Sequence, residues 1–202
     1  MNTIYTIGHS NHDIDTFLAL LREHRVEVIA DVRSSPYSHY SPQFNREQLH
    51  ASLKKHGIQY VFLGEQLGAR PKSNTCVVDG QVKFSLLAKE PFFRDGLDRV
   101  RKGAEQFRLA LMCSEKDPIC CHRTILVCRN LRSSDIRIQH IHEDAVLEDH
   151  RDLEVRLLRN MKMPTEDLFK SQAELIESAY DLQGGKIAYH EKQEIEAGET
   201  KG

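Results

Sequence analysis

No apolar run in this 202-residue chain approaches the roughly 18 residues that a membrane-spanning helix needs. The opening stretch MNTIYTIGHS has no basic region followed by an apolar core, so a secretory signal is not expected. Together these absences predict a cytoplasmic protein with no membrane partner. An excess of charge is missing too. Lys and Arg number 28 against 30 Asp and Glu, a formal net charge of −2, so nothing global draws the chain to nucleic acid and any basic patch is local. There is no internal repeat and no linker that would set off a second domain. A Cys-x-x-Cys pair is absent. So is the phosphatase spacing of a Cys followed five residues on by an Arg, since Cys113 precedes Arg123 by ten positions and Cys121 by two.

What remains suits one ordinary globular domain. Hydrophobic residues make up 40% and charged residues 29%, enough apolar material for a true core. The five cysteines (Cys76, Cys113, Cys120, Cys121 and Cys128) are odd in number, which fits reduced thiols better than a secreted disulfide framework. Short β-rich runs alternate with amphipathic ones. Strands are expected at 3–8, 26–32, 58–63, 107–113 and 136–142. Helices are expected at 12–24, 45–57 and 90–106, and from Asp117-Pro118 to about Leu131. Two more are expected at 148–161 and 166–182. The rhythm predicts a single α/β domain, with a mostly parallel sheet flanked by helices. An Asp-Gly turn inside 69–84 predicts a small β-hairpin insertion. The polar end, 190–202, predicts a disordered tail. The domain proper is expected over 1–160, with a helical extension at 161–189 packed on it.

In an open parallel sheet, ligands bind beyond the carboxyl ends of the strands. The expected strands end in His9 and Ser10, in Asp31, Arg33 and Ser34, in GEQLGAR, in Cys113 and Glu115, and in His140 and His142. Most of the residues able to do acid–base, nucleophilic or metal chemistry thus collect at one sheet edge. CSEKDPICCHR, residues 113–123, holds the densest group. Strand alternation puts Cys113 and Glu115 on one side. Cys120 to Arg123 are expected in the first turns of a helix, where free N–H groups favour anions and acidify thiols. Cys76 and Cys128 read as core residues. The spacing Cys-x7-Cys-His matches no common zinc pattern, so no metal is expected and no cofactor is implied.

TIGHS (6–10), DVRSSP (31–36), GIQYVFLGEQLGARP (57–71), CSEKDPICCHR (113–123) and HIHEDAVLEDH (140–150) resemble, in that order, the DUF488 family of bacterial and archaeal proteins. The family's Cys-x-Glu…Cys-His-Arg element matches at Cys113, Glu115, Cys121, His122 and Arg123, and its Asp-Val-Arg-Ser element at Asp31–Ser34. The chain departs from the family pattern at His39 or Tyr40, where Arg is frequent, and at Ala69, where a second Gly is. The resemblance implies a fold and a site, and no reaction.

Three functions compete on these residues. In an enzyme, Cys113 or Cys121 would be the nucleophile or redox centre and Glu115 or His122 would move protons. His9, Ser10, Asp31, Arg33, Ser34 and Arg123 would then hold a small anionic ligand or nucleotide. In a nucleic-acid-binding module, Arg33, Arg46, Lys54 and Lys55 would contact phosphates while Tyr37, Tyr40 and Phe44 stack bases. A redox or metal sensor would use the cysteines. Nothing in the sequence fixes the oligomeric state.

Overall fold

The computed structural model describes residues 2–72 and 74–190. Its main sheet has six strands in the order β3-β2-β6-β1-β7-β8. These are β1 (Asn2–Gly8), β2 (Val28–Asp31), β3 (Gln59–Phe62), β6 (Leu109–Cys113), β7 (Ile136–Ile141) and β8 (Leu147–Asp149). The first five lie parallel, and β8 returns antiparallel to β7. The central strands VIAD and LALMC are buried at every position. Such continuous apolar runs are what a sheet covered on both faces requires.

The two faces bury separate cores. On one, Tyr5, Ile7, Ile29, Ala110 and Met112 meet helices α1 (Ile14–Glu23) and α2 (Arg46–Lys55) through Phe17, Leu21, Leu49 and Leu53. The opposite core gathers Ile4, Ala30, Leu111, Cys113 and Ile138. Helices α5 (Pro91–Gln106), α7 (His150–Asn160) and α8 (Gln172–Ile187) cover that side with Phe93, Val100, Leu157 and Ala179. Each fully buried Leu, Ile or Phe contributes about 1.5–3 kcal/mol of transfer free energy. The short helices α3 (Gly64–Leu67) and α4 (Phe84–Leu87) bracket the expected hairpin. That hairpin is β4 (Val77–Val78) with β5 (Gln81–Val82), and its turn residues Asp79 and Gly80 both take the left-handed φ that a tight hairpin needs. The chain end runs beside it. Val82 N–H donates to the Tyr189 carbonyl, and Gln81 bridges to His190. The rest of the expected tail, from 191 on, lies outside the described residues.

The structure corrects several expectations. Residues 118–131 are not one α-helix. A 3-10 turn at Pro118–Cys120 ends at an extended Cys121, and a buried π-helical segment, Arg123–Cys128, precedes a short α6 (Arg129–Leu131). The last helix begins at Gln172 rather than 166, because Ser171 and Glu174 form a reciprocal capping box there. Asn45 precedes α2 as expected, but its Oδ1 accepts from Ser38 N–H at 2.7 Å instead of capping the helix. Among the described residues no helix is long and apolar enough to cross a membrane.

Candidate functional site

At the carboxyl edge, β6 delivers Cys113 and the returning loop brings back Cys121 and His122. One carboxylate oxygen sits between the two sulfurs. Glu115 Oε2 lies 3.1 Å from Cys113 Sγ and 2.9 Å from Cys121 Sγ. His122 Nδ1 lies 3.6 Å from Cys113 Sγ, while its Nε2–H donates to the Val32 carbonyl at 3.0 Å. The Arg123 backbone N–H points at Cys121 Sγ, 3.4 Å away. The donor atoms of Cys113, Glu115, Cys121 and His122 all lie within 4.8 Å of one another.

The loop carrying these groups is fixed from every side. Arg123 is fully buried, and its guanidinium donates to the carbonyls of Glu115 (2.5 Å) and Lys116 (3.2 Å). From α7, Arg156 clamps both oxygens of Asp117 at 3.1 Å, and Asp117 Oδ1 accepts from Ile119 N–H. Gln183 of α8 donates to the Ile119 carbonyl. The amides of His9 and Ser10 donate to the carbonyls of Cys113 and Ser114 at 2.9 Å. β1 comes so close that a Cβ on Gly8 would meet the Glu115 carbonyl oxygen at 2.0 Å, so no larger residue fits there.

Crowding three acids sets their protonation. Burial works to raise the Cys121 thiol. The Cys113 hydrogen bond and the charges of Arg123 and His122 outweigh that and hold it well below the ordinary thiol range. Burial and then Cys121 push Cys113 well up. Glu115 also moves up, through burial and the charge on Cys121. Written as a neutral thiol, Cys121 donates to Glu115; the opposite shifts of the two groups narrow the gap between thiol and carboxyl. Burial acts to lower His122, and the contact with Cys121 reverses that and raises it. Two buried atoms, Arg123 Nε and Thr124 Oγ1, have no hydrogen-bond partner among the described residues.

Cys113, Glu115 and His122 floor a cavity of about 430 Å³, whose walls include Arg33, Ser34, Ser35, Ser38, Arg70 and Tyr189. Arg33 lends charge but not a free fork. It binds Asp31 at 2.9 Å (Nε to Oδ1) and 2.6 Å (Nη2 to Oδ2), donates to the Phe44 carbonyl, and donates through Nη1 to His9 Nε2 at 3.2 Å. The Arg33 backbone N–H and Tyr60 O–H also donate to Asp31. His9 stacks on Phe44, and burial and Arg33 lower its pKa to about 4, so it is a neutral acceptor at pH 7. Asp31, Arg33 and His9 thus brace the 33–44 loop at the cavity's border. Ser34 Oγ accepts from Arg70 N–H, and Ser10 O–H donates to Asn11. The anion-favouring helix start expected around Cys120 to Arg123 is corrected: the amides of 119–121 are spent on Asp117 and Pro118, and the fork of Arg123 on loop carbonyls.

In the sequence, Arg70 stands just past strand three, apart from the expected site residues. In the fold its guanidinium lies 4.5 Å over the Tyr189 ring and has no hydrogen bond or ion pair among the described residues. Tyr189 carried no signal in the sequence, since the turn of the chain end along β5 puts it there.

The same CSEKDPICCHR segment closes the region recognised by a family model, described as a domain of unknown function, DUF488, that matches residues 13–129. The chain belongs to the DUF488 family. The DUF488 match runs from α1 through the π-helical segment and so contains the whole thiol cluster. Comparison with curated proteins and with solved structures returns no match.

His140 and His142 do not join the thiol cluster, although His142 stands at the expected edge, just past the end of β7. His142 pairs with Glu148 at 2.9 Å. His140 enters a buried relay on the sheet's other flank. It contacts Thr6 Oγ1 at 2.8 Å and His150 at 2.9 Å; His150 contacts Tyr180 O–H at 3.0 Å, which reaches Glu154 at 3.0 Å. A larger cavity, about 730 Å³, opens near His150. Of its four arginines, 129, 132 and 137 are paired with Glu177, Asp181, Glu154 and Asp149, while the side chain of Arg151 has no hydrogen bond or ion pair among the described residues; its lining among the described residues holds no thiol.

Proposed function

We propose that this DUF488 protein is an enzyme acting on a small anionic, nucleotide-like substrate in the cavity floored by Cys113, Glu115 and His122. The observation that carries the reading is the pairing, across one cavity, of a carboxylate in hydrogen-bond reach of two thiols with an arginine fork that has no polar partner among the described residues. Arg70 holds the anion, since a planar fork matches phosphate or carboxylate. The hydroxyls of Ser34, Ser35 and Ser38 bind its remaining oxygens, and the rings of Tyr37 and Tyr189 flank a base or other planar group. Glu115 moves the proton in a hydrolytic or group-transfer step at the thiol cluster. A perturbed acid in a cleft is where such chemistry is expected.

The test is binding of inorganic phosphate and nucleoside phosphates, followed by calorimetry and thermal shift. Arg70→Ala is expected to abolish binding, and Arg70→Lys, which keeps charge but loses the fork, to weaken it about tenfold. Glu115→Gln should bind and not turn over. If no anion stabilises the wild type, the reading fails. The fully exposed Tyr40, on the loop that also carries Tyr37, favours a second reading in which a single-stranded nucleic acid continues out of the cavity. A steep salt dependence of oligonucleotide binding would support it.

A further inference from the structure

We infer that Cys113, Cys121 and His122 bind one zinc-class divalent cation on the cavity floor, with Glu115 as an exchangeable fourth ligand. The ion would sit at the centre of the proposed site, so the inference rests on that reading.

Geometry comes first. A tetrahedral zinc ion has sulfur ligands at about 2.3 Å and nitrogen or oxygen at about 2.0–2.2 Å, so its donors stand roughly 3.3–3.8 Å apart. The separations here are 2.9, 3.1 and 3.6 Å, and the whole set falls within 4.8 Å. An ion enters by spreading the Glu115 contacts about half an ångström, a rotation of a solvent-side chain. The other donors are already supported as ligands of a metal are. His122 donates Nε2–H to Val32 O, which leaves the Nδ1 lone pair of the neutral ring facing Cys113. The Arg123 amide serves the Cys121 sulfur.

The charge also closes. Two thiolates and a carboxylate sit beside one wholly buried guanidinium, Arg123. A divalent ion and Arg123 together neutralise three negative charges; without the ion, protons must take that role. The donor set chooses the metal. Two thiolates with an imidazole suit zinc, whereas magnesium and calcium take oxygen ligands. Cys113, Glu115 and His122 face the cavity. Three protein ligands with a fourth, displaceable position toward a pocket is the pattern of a catalytic site rather than a closed structural one.

The test uses the full-length protein purified without chelator. Elemental analysis should find one zinc per chain. Co2+ added to the chelated protein should give thiolate-to-cobalt charge-transfer and tetrahedral d–d bands at one equivalent. Cys121→Ser and His122→Gln should lose both, and Glu115→Gln should keep the bands with affinity lowered roughly 10–100-fold. Cys120→Ser, which changes the exposed neighbouring thiol, should match wild type. Should a variant misfold, wild type alone suffices: Zn2+ should protect Cys113 and Cys121, and not Cys120, from alkylation read by mass spectrometry. Absence of zinc and of cobalt bands overturns the inference. So does a native Cys113–Cys121 disulfide, or loss of the ion in Cys120→Ser. Phosphate or nucleotide binding by the chelated protein, abolished in Arg70→Ala, would then show that the enzyme reading survives without the metal. An ion bound by a protein that no anion stabilises would show the converse.

Discussion

Two buried polar clusters sit on the same face of one sheet, and they are built on opposite terms. In the relay beside β7, every group has one role. Glu154 can only accept, so Tyr180 donates to it. Tyr180 therefore accepts from His150, His150 accepts from His140, and His140 accepts from Thr6. One orientation satisfies the chain from end to end with both histidines neutral. At the tip of β6, by contrast, three acids contend for too few protons, and two buried polar atoms nearby have no partner among the described residues. A satisfied network is what folding alone would select, and a contested one calls for another explanation, which the proposed function supplies.

Breaking the relay should give the largest effect. His150→Ala leaves His140 Nε2–H without a partner, takes from the Tyr180 hydroxyl one of its two hydrogen bonds and opens a cavity, and is expected to cost about 3–5 kcal/mol in urea denaturation. Its cobalt uptake and phosphate binding should match wild type. A loss below about 1 kcal/mol would mean that the relay carries no weight in the fold.

Acid should act on the same chain. Burial, then Arg132, lowers His150 from 6.5 to about 3. The unfolded chain therefore takes up a proton first, so this contribution to stability is complete above pH 6.5 and drains away as pH falls toward 3. His150→Gln should show a shallower decline over that window. Parallel curves for the two proteins would place the acid sensitivity in other groups.

Arg123→Lys keeps the charge but cannot span the carbonyls of Glu115 and Lys116, and should cost about 2 kcal/mol. The looser loop should also let Cys113 alkylate faster than in wild type. The smallest change is expected for Cys121→Ala, within about 1 kcal/mol of either sign, because it relieves the competition while deleting one small group. If it matched His150→Ala, the contrast between the two clusters would collapse.

Much of this was legible in the residues. Apolar runs such as LALMC announced buried parallel strands, and β alternation put Cys113 and Glu115 together. Asp79-Gly80 announced the hairpin. What could not be read was direction. Both Arg123 and Arg33 look like anion forks in one dimension, yet one turns onto carbonyls and the other onto Asp31. The Cys-x7-Cys-His spacing matches no common zinc motif, because the strand end and the extended Cys121 meet through a 3-10 turn that spacing does not encode. His140 follows the strand period onto a helix-covered face instead of the open edge. The π-helical segment has no periodic signature short of its hydrogen bonds.

The place of β1 bears on how the protein assembles. Ile4 pairs with Leu109 on one side and Ile138 on the other, so the first strand made has no sheet neighbour until the chain beyond Leu109 exists. It waits unpaired while about a hundred further residues are made, with two open edges and the loop-closure entropy of long-range contacts still against it. When β6 inserts between β1 and β2, one event completes the sheet's centre and presses Gly8 against the loop of Glu115. The cluster of Cys113, Glu115 and Cys121 is thus a late product of folding, and a nascent or truncated chain lacking β6 has the strand and no cluster.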